Sequence, residues 1–542
     1  MRAIDLYAGI GGWSLGLRLA GVEVVASYEW WQPAIDTHNG NHGGEFGPVD
    51  IRRLKLEDLP SHIDLVVGSP PCTEFSYSNR GGSGNLSEGL KDLVKFLEVV
   101  EYLKPRYWAL ENVPRVAEVL RKGFQDPRHV LYRFRNLNPR IEIFDFSEYG
   151  APQSRRRCIA GNIPFDLIEQ YRASLPRRTL GDVIEAISSA DVIEDPVWGI
   201  KLPSIALTET EAEAALNAEE LRMNREAKTY HPIYNNMAFP DALDAPARTV
   251  TATCTRVSRE SIVIADPECP KSFRRLTVRE RACLQGFPIT YQFYAKSFPE
   301  KAKMVGNAIP PTFTYLVACA ALGVSAKSFR PFREAGLSLV LPSKVAPITA
   351  PDGEGRSYPA KRGFRAALPG LRFKSGMRFE LSNEIDEDSV AWRVRFFFGP
   401  STDIREVDLD GSVISELRRD LAEPVFSNFR ARLVRTEAEL NRTSPSMLQE
   451  RWTHRADGMS PFDVVDLLGD LAQELQITLE ETMADQEAAT RFVSQVASGA
   501  PGVGLASGLR KVERYSMPVL AGFIVGDWFN SLGWHSKRRV AA

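Results

Sequence analysis

The first 165 residues predict an α/β fold, a mostly parallel sheet with helices on both faces. Three observations carry that prediction. Short β-rich runs alternate with segments in which Leu, Val and Phe recur at helical spacing, and such alternation builds parallel sheets. The loops with unusual chemistry all follow strands, the end of such a sheet where ligands bind. At 542 residues the chain is too long for one core, so two to four domains are expected.

In chain order, "RAIDLYAG", "EVVASYEW", "IDLVVGSP", "YWALENV" and "RRCIAGNI" are strands by composition. Between them "GWSLGLRLAG" and "LKDLVKFLEVVEYLKP" read as helices, the second stopping near Pro105. From about 166 to 270 the pattern loosens around a helix-like "TETEAEAALNAEELRMNREA". "RRLTVRERACLQGFP" and "KMVGNAIPPTFTYLVACAALG" restore helical periodicity up to about 324. A Pro- and Gly-rich linker is expected over 341–363. Beyond it "MRFELSNEIDEDSVAWRVRFFFG" alternates like a hairpin or meander, and "PFDVVDLLGDLAQELQITLEETMADQEAATRFVSQVA" reads as one or two amphipathic helices. The aromatic-rich "GFIVGDWFNSLGWHS" is expected in a core. There is no internal repeat.

Hydrophobic content of 44% and charged content of 25% are those of a soluble globular chain. No apolar run approaches the roughly 18–20 residues that span a bilayer, and the chain starts directly on a strand, so a cytoplasmic location without membrane contact is expected. Six cysteines lack CxxC pairing, which argues against a zinc ribbon or disulfide framework, and no metal is expected. A net charge of −2 argues against non-specific coating of nucleic acid but leaves room for a basic cleft.

Four loops carry chemistry. In "DLYAGIGG" glycines after a strand let backbone approach a ligand, and the absence of P-loop Lys and Ser/Thr argues against a triphosphate. Glu29 ends the next strand about 20 residues on, where a carboxylate can bind ribose hydroxyls, with Trp30 beside it able to stack on adenine. In "GSPPCTEFS", Cys72 sits beyond a strand end on a proline-stiffened loop, displayed rather than hidden; its thiolate is the nucleophilic form. Glu111 ends the hydrophobic strand of "WALENVP", and a shielded carboxyl suits a proton-donating role. In "GAPQSRRRCIAG" Arg155 and Arg157 are expected to point together, as alternate strand residues do, with guanidinium forks suited to phosphates or a base edge. Each loop alone also fits a structural role: a surface acid and core Trp, an inert thiol, a salt-bridged Glu, a solvated charge run.

Their order is more telling than any one of them. Gly-rich turn, strand-end Glu-Trp, Pro-Cys loop, Glu-Asn-Val, Gln-x-Arg-x-Arg, the "RRLTVRERACLQGFP" helix and the "VGNAIPP" turn follow one another. Residues 1 to about 324 thereby resemble the DNA (cytosine-5) methyltransferases. The resemblance implies a Rossmann-like class I S-adenosylmethionine-dependent methyltransferase domain over 1–165 and 271–325, and a small target-recognition domain over 166–270. An accessory α+β domain over 364–542 lies outside it.

The resemblance also implies roles. Tyr7, Gly9, Gly11, Glu29, Trp30, Asp50, Ile51, Pro71 and Asn307 would line the S-adenosylmethionine pocket, S-adenosylhomocysteine being the product. Cys72 would be the nucleophile and Glu111 the group that protonates ring nitrogen 3. Gln153, Arg155 and Arg157 would hold the target base, its phosphate and the catalytic loop. Ser76 and Thr249 would contact double-stranded DNA, with the cytosine flipped out of the duplex. Two departures stand out: Tyr7 where the family usually has Phe, and Thr73 where it has Gln. The resemblance implies an enzyme that guards a genome in a restriction-modification or phage-defence system or acts alone. The C-terminal domain, which the resemblance does not cover, is expected to be an accessory interaction domain docking a protein of such a complex. A transfer-RNA substrate and a catalytically silent DNA-binding scaffold are the competing readings.

Overall fold

The computed structural model describes residues 1–71, 86–189, 191–229, 237–253, 255–351, 358–373, 376–387, 389–399, 404–407, 409, 423–482, 486–498 and 512–537. They form two compact units, Met1–Thr229 with Met237–Gly353, and Tyr230–Asn236 with Glu354–Ala542.

The first unit is built on a six-stranded sheet. Its elements run β1 (Arg2–Leu6), α1 (Gly12–Leu19), β2 (Glu23–Tyr28), α2 (Gln32–His42), β3 (Leu65–Gly68), α3 (Leu86–Leu103), β4 (Tyr107–Asn112), α4 (Arg115–Gln125), β5 (Arg140–Asp145) and β6 (Arg156–Gly161). The strand order is β2-β1-β3-β4-β6-β5. β1 to β4 are parallel, whereas β6 runs antiparallel to both β4 and β5. Only residues 146–155 separate β5 from β6, too few for the crossover that parallel neighbours require.

Strand alternation sends side chains to the two faces in turn. Ile4, Leu6, Val66, Trp108 and Leu110 pack with Leu93, Phe96, Leu97 and Val100 of α3, one stripe of that helix at i, i+3, i+4 and i+7. Ala3, Leu65, Val67 and Ala109 take the other face, against Trp13 and Leu17 of α1 and Phe313 and Leu316 of a later helix. Each buried Leu, Ile, Val or Phe side chain among these contributes roughly 1.5–3 kcal/mol.

After β6 come α5 (Phe165–Arg172), α6 (Leu180–Ile187), β7 (Val192–Glu194), β8 (Lys201–Pro203), α7 (Ala218–Thr229), β9 (Val263–Ala265), β10 (Phe273–Arg275), α8 (Val278–Leu284), α9 (Phe298–Asn307) and α10 (Pro311–Ala321). Thr277 and Glu280 cap each other's backbone to start α8. The Ala- and Glu-rich run at 208–227 is helical only from Ala218. Before that, tertiary ion pairs outweigh helix propensity: Glu209 sits at φ 65° and pairs with Lys301 at 2.7 Å, and Glu213 pairs with Arg275. Residues 344–349 of the expected linker also bond back onto this unit. The Tyr294 hydroxyl donates to the Lys344 carbonyl at 2.5 Å, Lys301 donates to the Pro347 carbonyl, and Thr349 Oγ1 donates to Glu209 at 3.0 Å.

The second unit holds an antiparallel meander, β11 (Arg365–Arg372), β12 (Arg378–Ile385), β13 (Ser389–Phe398) and β14 (Arg405–Val407), with β15 (His535–Lys537) also on β13. The alternating run therefore forms the expected hairpin, and the amphipathic run forms helices Pro461–Thr482 and Gln486–Ser498. The aromatic-rich stretch lies largely in a buried helix, Ser516–Ser531. There Gly522 lets the Phe379 ring approach so closely that a Cβ would meet it at 2.4 Å.

Candidate active site

The strand ends converge on the turn after β1. Tyr7 at φ 57°, Gly9 at φ 52° and Gly11 at φ 91° make the turn left-handed three times, a conformation that only glycine adopts without cost. Gly11 has no room for a side chain, since a Cβ would lie 2.5 Å from His42 Nε2. Gly12 is as confined, its Cβ position 2.2 Å from the Ile309 carbonyl oxygen. The turn after α9, which follows Asn307, is thus pressed against the glycine turn. Gly9 is different: among the described residues a Cβ there meets nothing within 4 Å.

Glu29 directly follows β2 and is 8% exposed. Its Oε2 accepts the Gly9 amide at 2.9 Å, and Oε1 accepts the amides of Trp30 and Trp31 at 2.8 and 2.9 Å. The carboxylate therefore ties the glycine turn to the next strand end. Trp30 beside it is 66% exposed. Asp50 caps a short turn, its Oδ1 accepting the Arg52 amide at 3.1 Å, and Ile51 is buried. The backbone reaches this turn through Val49, whose amide donates to the Glu29 carbonyl at 2.8 Å.

Beneath the turn lies a buried polar cluster. Ser14 Oγ donates to Asp5 Oδ2 at 2.7 Å and lies 3.0 Å from His38 Nε2. The His38 and His42 rings, one helical turn apart on α2, are 4.5 Å apart. Burial pushes the Asp5 carboxyl up to about 7, against the lowering effect of its bonds from Ser14. Burial, helped by the Arg18 charge, brings His38 down to about 3, and His42 is lowered for the same first cause. Both imidazoles are neutral supports under the loop.

At the ends of β3 and β4 the loops are joined. Asn112 Nδ2 donates to the Pro70 carbonyl at 2.9 Å, and Trp13 Nε1 donates to Ser69 Oγ at 3.1 Å. Pro71 is exposed. Glu111, next to Asn112, is 5% exposed, and its Oε1 pairs with Arg157 Nε at 3.1 Å from the adjacent antiparallel strand.

Residues 1–321 match the family described as C-5 cytosine-specific DNA methylase. The chain belongs to this family. The enzyme is 26% identical over 339 residues to the Type II methyltransferase M.NgoPII of Neisseria gonorrhoeae, covering 59% of this chain and 95% of that one. It is 29% identical over 327 residues to M.AplI of Arthrospira platensis, covering 58% and 84%. The solved structure of the S. pombe Dnmt2 methyltransferase aligns with 60% of this chain and 98% of that one, at 19% identity and a TM-score of 0.41. The six-stranded, mostly parallel sheet is the Rossmann-like class I fold of methyltransferases that use S-adenosylmethionine.

The residues at the turn fit such a cofactor: among the described residues Gly9 has space beside it, the Glu29 carboxylate is fixed at its edge and the Trp30 indole is exposed. Cys72, Thr73 and Ser76 lie outside the described residues. Asn307 stands exposed at the end of α9. Arg155 and Arg157 do not share partners as expected. Arg157 faces Glu111, while Arg155, 2% exposed, donates to the carbonyls of Val250, Gly306 and Ala308 at 3.0–3.2 Å. Arg155 precedes the first residue of β6, so strand alternation does not govern it. Gln153 is likewise fully buried, donating to the Leu284 carbonyl at 3.0 Å and accepting the Val250 amide at 2.9 Å. Both knit the 247–252 segment to α8 and α9. Thr249 Oγ1 donates to the Ser154 carbonyl at 2.9 Å. The reading of the sequence passed over Asn112, a buried amide at the end of an apolar strand, and Asp92, an acid buried within a helix whose other polar residues are mostly solvated.

Proposed function

We propose that this enzyme methylates carbon 5 of a cytosine flipped out of duplex DNA at a specific sequence, through a covalent adduct with Cys72. S-adenosylmethionine, held by Tyr7, Gly9, Gly11, Glu29, Trp30, Asp50, Ile51, Pro71 and Asn307, supplies an electrophilic methyl carbon. Glu29 Oε2 keeps a lone pair for a ribose hydroxyl after accepting the Gly9 amide. Trp30 offers an aromatic face to the adenine.

The Cys72 thiolate adds to carbon 6 of the base and breaks the 5,6 double bond, pushing electron density onto carbon 5. Glu111 donates a proton to ring nitrogen 3 as charge develops there, and Arg157 fixes the Glu111 carboxyl for that transfer. Once carbon 5 is methylated it gives its proton to water, ring nitrogen 3 returns its proton to Glu111, the Cys72 thiolate leaves and the ring is restored. None of this is sterically open within a stacked helix, hence the extrusion of the base.

The observation that carries this reading is the joining of the two loops. Pro70, two residues before Cys72, is bonded to Asn112, the neighbour of a Glu111 already held by Arg157. Gln153 and Arg155 act in it as buried connectors rather than as groups touching the base. Residues 166–270 read the target sequence in the major groove, with Thr249 near the backbone. Relatives named Type II methyltransferases support a restriction-modification role; phage defence, a cytoplasmic location and docking of a partner by the C-terminal unit, which those relatives do not cover, are further parts of the proposal.

The test is methyl transfer from labelled S-adenosylmethionine to duplex DNA and, in parallel, to transfer RNA. It is paired with trapping on 5-fluorocytosine DNA, where fluorine cannot leave as a proton. A covalent complex on DNA that disappears with Cys72→Ala is expected. Trapping that survives the substitution, or methylation of transfer RNA alone, sinks the proposal.

A further inference from the structure

Asp92 lies on α3, outside every motif that marks the family in this chain, yet it is 5% exposed and draws on both walls of the cofactor cradle. From one side Arg52 grips it with a two-pronged fork, Nε to Oδ1 at 2.9 Å and Nη2 to Oδ2 at 2.7 Å. Arg52 belongs to the short turn that Asp50 caps and Ile51 opens. From the other side the Tyr7 hydroxyl reaches both the carbonyl and Oδ1 of Asp92 at 3.3 Å.

Two further ties run the same way. The Arg52 guanidinium also pairs with Glu88 at 3.2 Å, and Lys95 Nζ donates to the Leu54 carbonyl at 2.5 Å. The turn at 51–54 is therefore pinned to three successive levels of α3. Tyr7 itself is held at φ 57°, a left-handed conformation that costs an aromatic residue roughly 1–2 kcal/mol. Strain of that kind persists only where surrounding contacts over-determine it. Here one of those contacts is supplied by a hydroxyl that the Phe usual at this place in the family lacks.

We propose that Asp92 is a positioning residue for the cofactor pocket, holding the turn that carries Asp50 and Ile51 in register with the turn that carries Tyr7 and Gly9. The assignment rests on the S-adenosylmethionine reading above. Asp92 acts through Tyr7 and Arg52. A fork of two parallel N–H···O bonds fixes orientation as well as distance, which is what two loops on separate strands lack by themselves. The Tyr7 hydroxyl closes the connection from the strand β1 side.

The experiment uses the full chain. S-adenosylmethionine affinity is measured by calorimetry, and KM and kcat on duplex DNA are measured beside it. Asp92→Asn keeps the shape but weakens the fork, and it is expected to raise the dissociation constant about tenfold, the size of coupling typical of a contacting network. Turnover at saturating cofactor is expected to stay within about threefold, since the loss is in ground-state binding. Tyr7→Phe is expected to give a smaller loss that shrinks in the Asp92→Asn background, where the hydroxyl keeps the backbone carbonyl but has lost its charged acceptor.

An unchanged dissociation constant in Asp92→Asn overturns the proposal, as does strict additivity of the two substitutions. Should Asp92→Asn fail to fold, Arg52→Lys decides. That side chain is 41% exposed, and lysine keeps the charge without the fork. Weakened cofactor binding there supports the proposal, and wild-type affinity refutes it. A wild-type protein that binds no S-adenosylmethionine overturns the cofactor reading itself. Wild-type binding with indifferent variants overturns only the role of Asp92.

Discussion

Glu111→Gln separates a chemical role from a structural one. The carboxylate is 5% exposed and pairs with Arg157 at 3.1 Å, and the two side chains are 7% and 14% exposed. Removing one partner of a buried pair outright costs about 3–5 kcal/mol because the other charge is stranded. Glutamine keeps an oxygen for Arg157 Nε, so the loss should approach that of a weakened charge-assisted hydrogen bond, about 1–3 kcal/mol. In a unit of this size that lowers Tm by only a few degrees, about 2–4 °C per kcal/mol. Catalysis should suffer far more, because an amide cannot deliver a proton to ring nitrogen 3. The expected fall in kcat is about 10²–10⁴-fold, or roughly 3–5 kcal/mol of barrier. Transfer of labelled methyl to duplex DNA, read beside a melting curve, gives both numbers. Turnover within about threefold of wild type with the melting shift present would mean the Glu111–Arg157 pair only holds the sheet together, and the acid role would be refuted.

Three further outcomes are expected. Gly9→Ala should fold, at a cost of about 1–2 kcal/mol for its left-handed φ, and weaken cofactor binding, whereas Gly11→Ala, strained likewise and with its Cβ meeting His42 at 2.5 Å, should lower the melting temperature further; the reverse pattern in thermal melts and cofactor titrations would contradict the geometry. Asp5, raised from 3.8 to about 7, lends stability that is complete below 3.8 and lost as pH rises through 7, while His38, lowered from 6.5 to about 3, lends stability that is present above 6.5 and lost as pH falls. Between pH 6.5 and 7.5, urea denaturation should therefore show wild type losing about 0.5–1 kcal/mol relative to Asp5→Asn, the contributions of His38 and His42 being common to both proteins. Parallel curves would count against a protonated Asp5. A chain ending at Gly336 forfeits the Pro347 and Thr349 contacts to buried Lys301 and Glu209. It should unfold about 2–4 kcal/mol more easily than one ending at Gly353, measured by urea midpoint and slope.

What was legible in the sequence followed from local signals. β1 to β4 are apolar runs with turn residues behind them, and the chemistry at their ends survives in the fold as the Gly9–Glu29 bond and the Glu111–Arg157 pair. β5 was not foreseen, because its residues Arg140 and Glu142 face outward and pair with each other, so "RIEIFD" carries a charged edge rather than a clean apolar run. The false helical start at 208–217 failed for a different reason. Alanine and glutamate favour helix locally, but Glu209 and Glu213 are claimed by Lys301 and Arg275 from far along the chain, and no local pattern announces such partners. Arg155 was misjudged because strand alternation was applied one residue before the strand begins. Asp92 and Asn112 were invisible for a simpler reason: what distinguishes them is which backbone or side chain they meet.

Trp30 has a practical use. Of the nine tryptophans, Trp13, Trp108, Trp198, Trp392, Trp452, Trp528 and Trp534 are buried and Trp31 is half-buried, whereas Trp30 is 66% exposed. The red edge of the emission spectrum and the fraction open to acrylamide should therefore report chiefly on this one indole. An adenine settling over it would shift the first and shield the second, so the pocket can be titrated by fluorescence without a label.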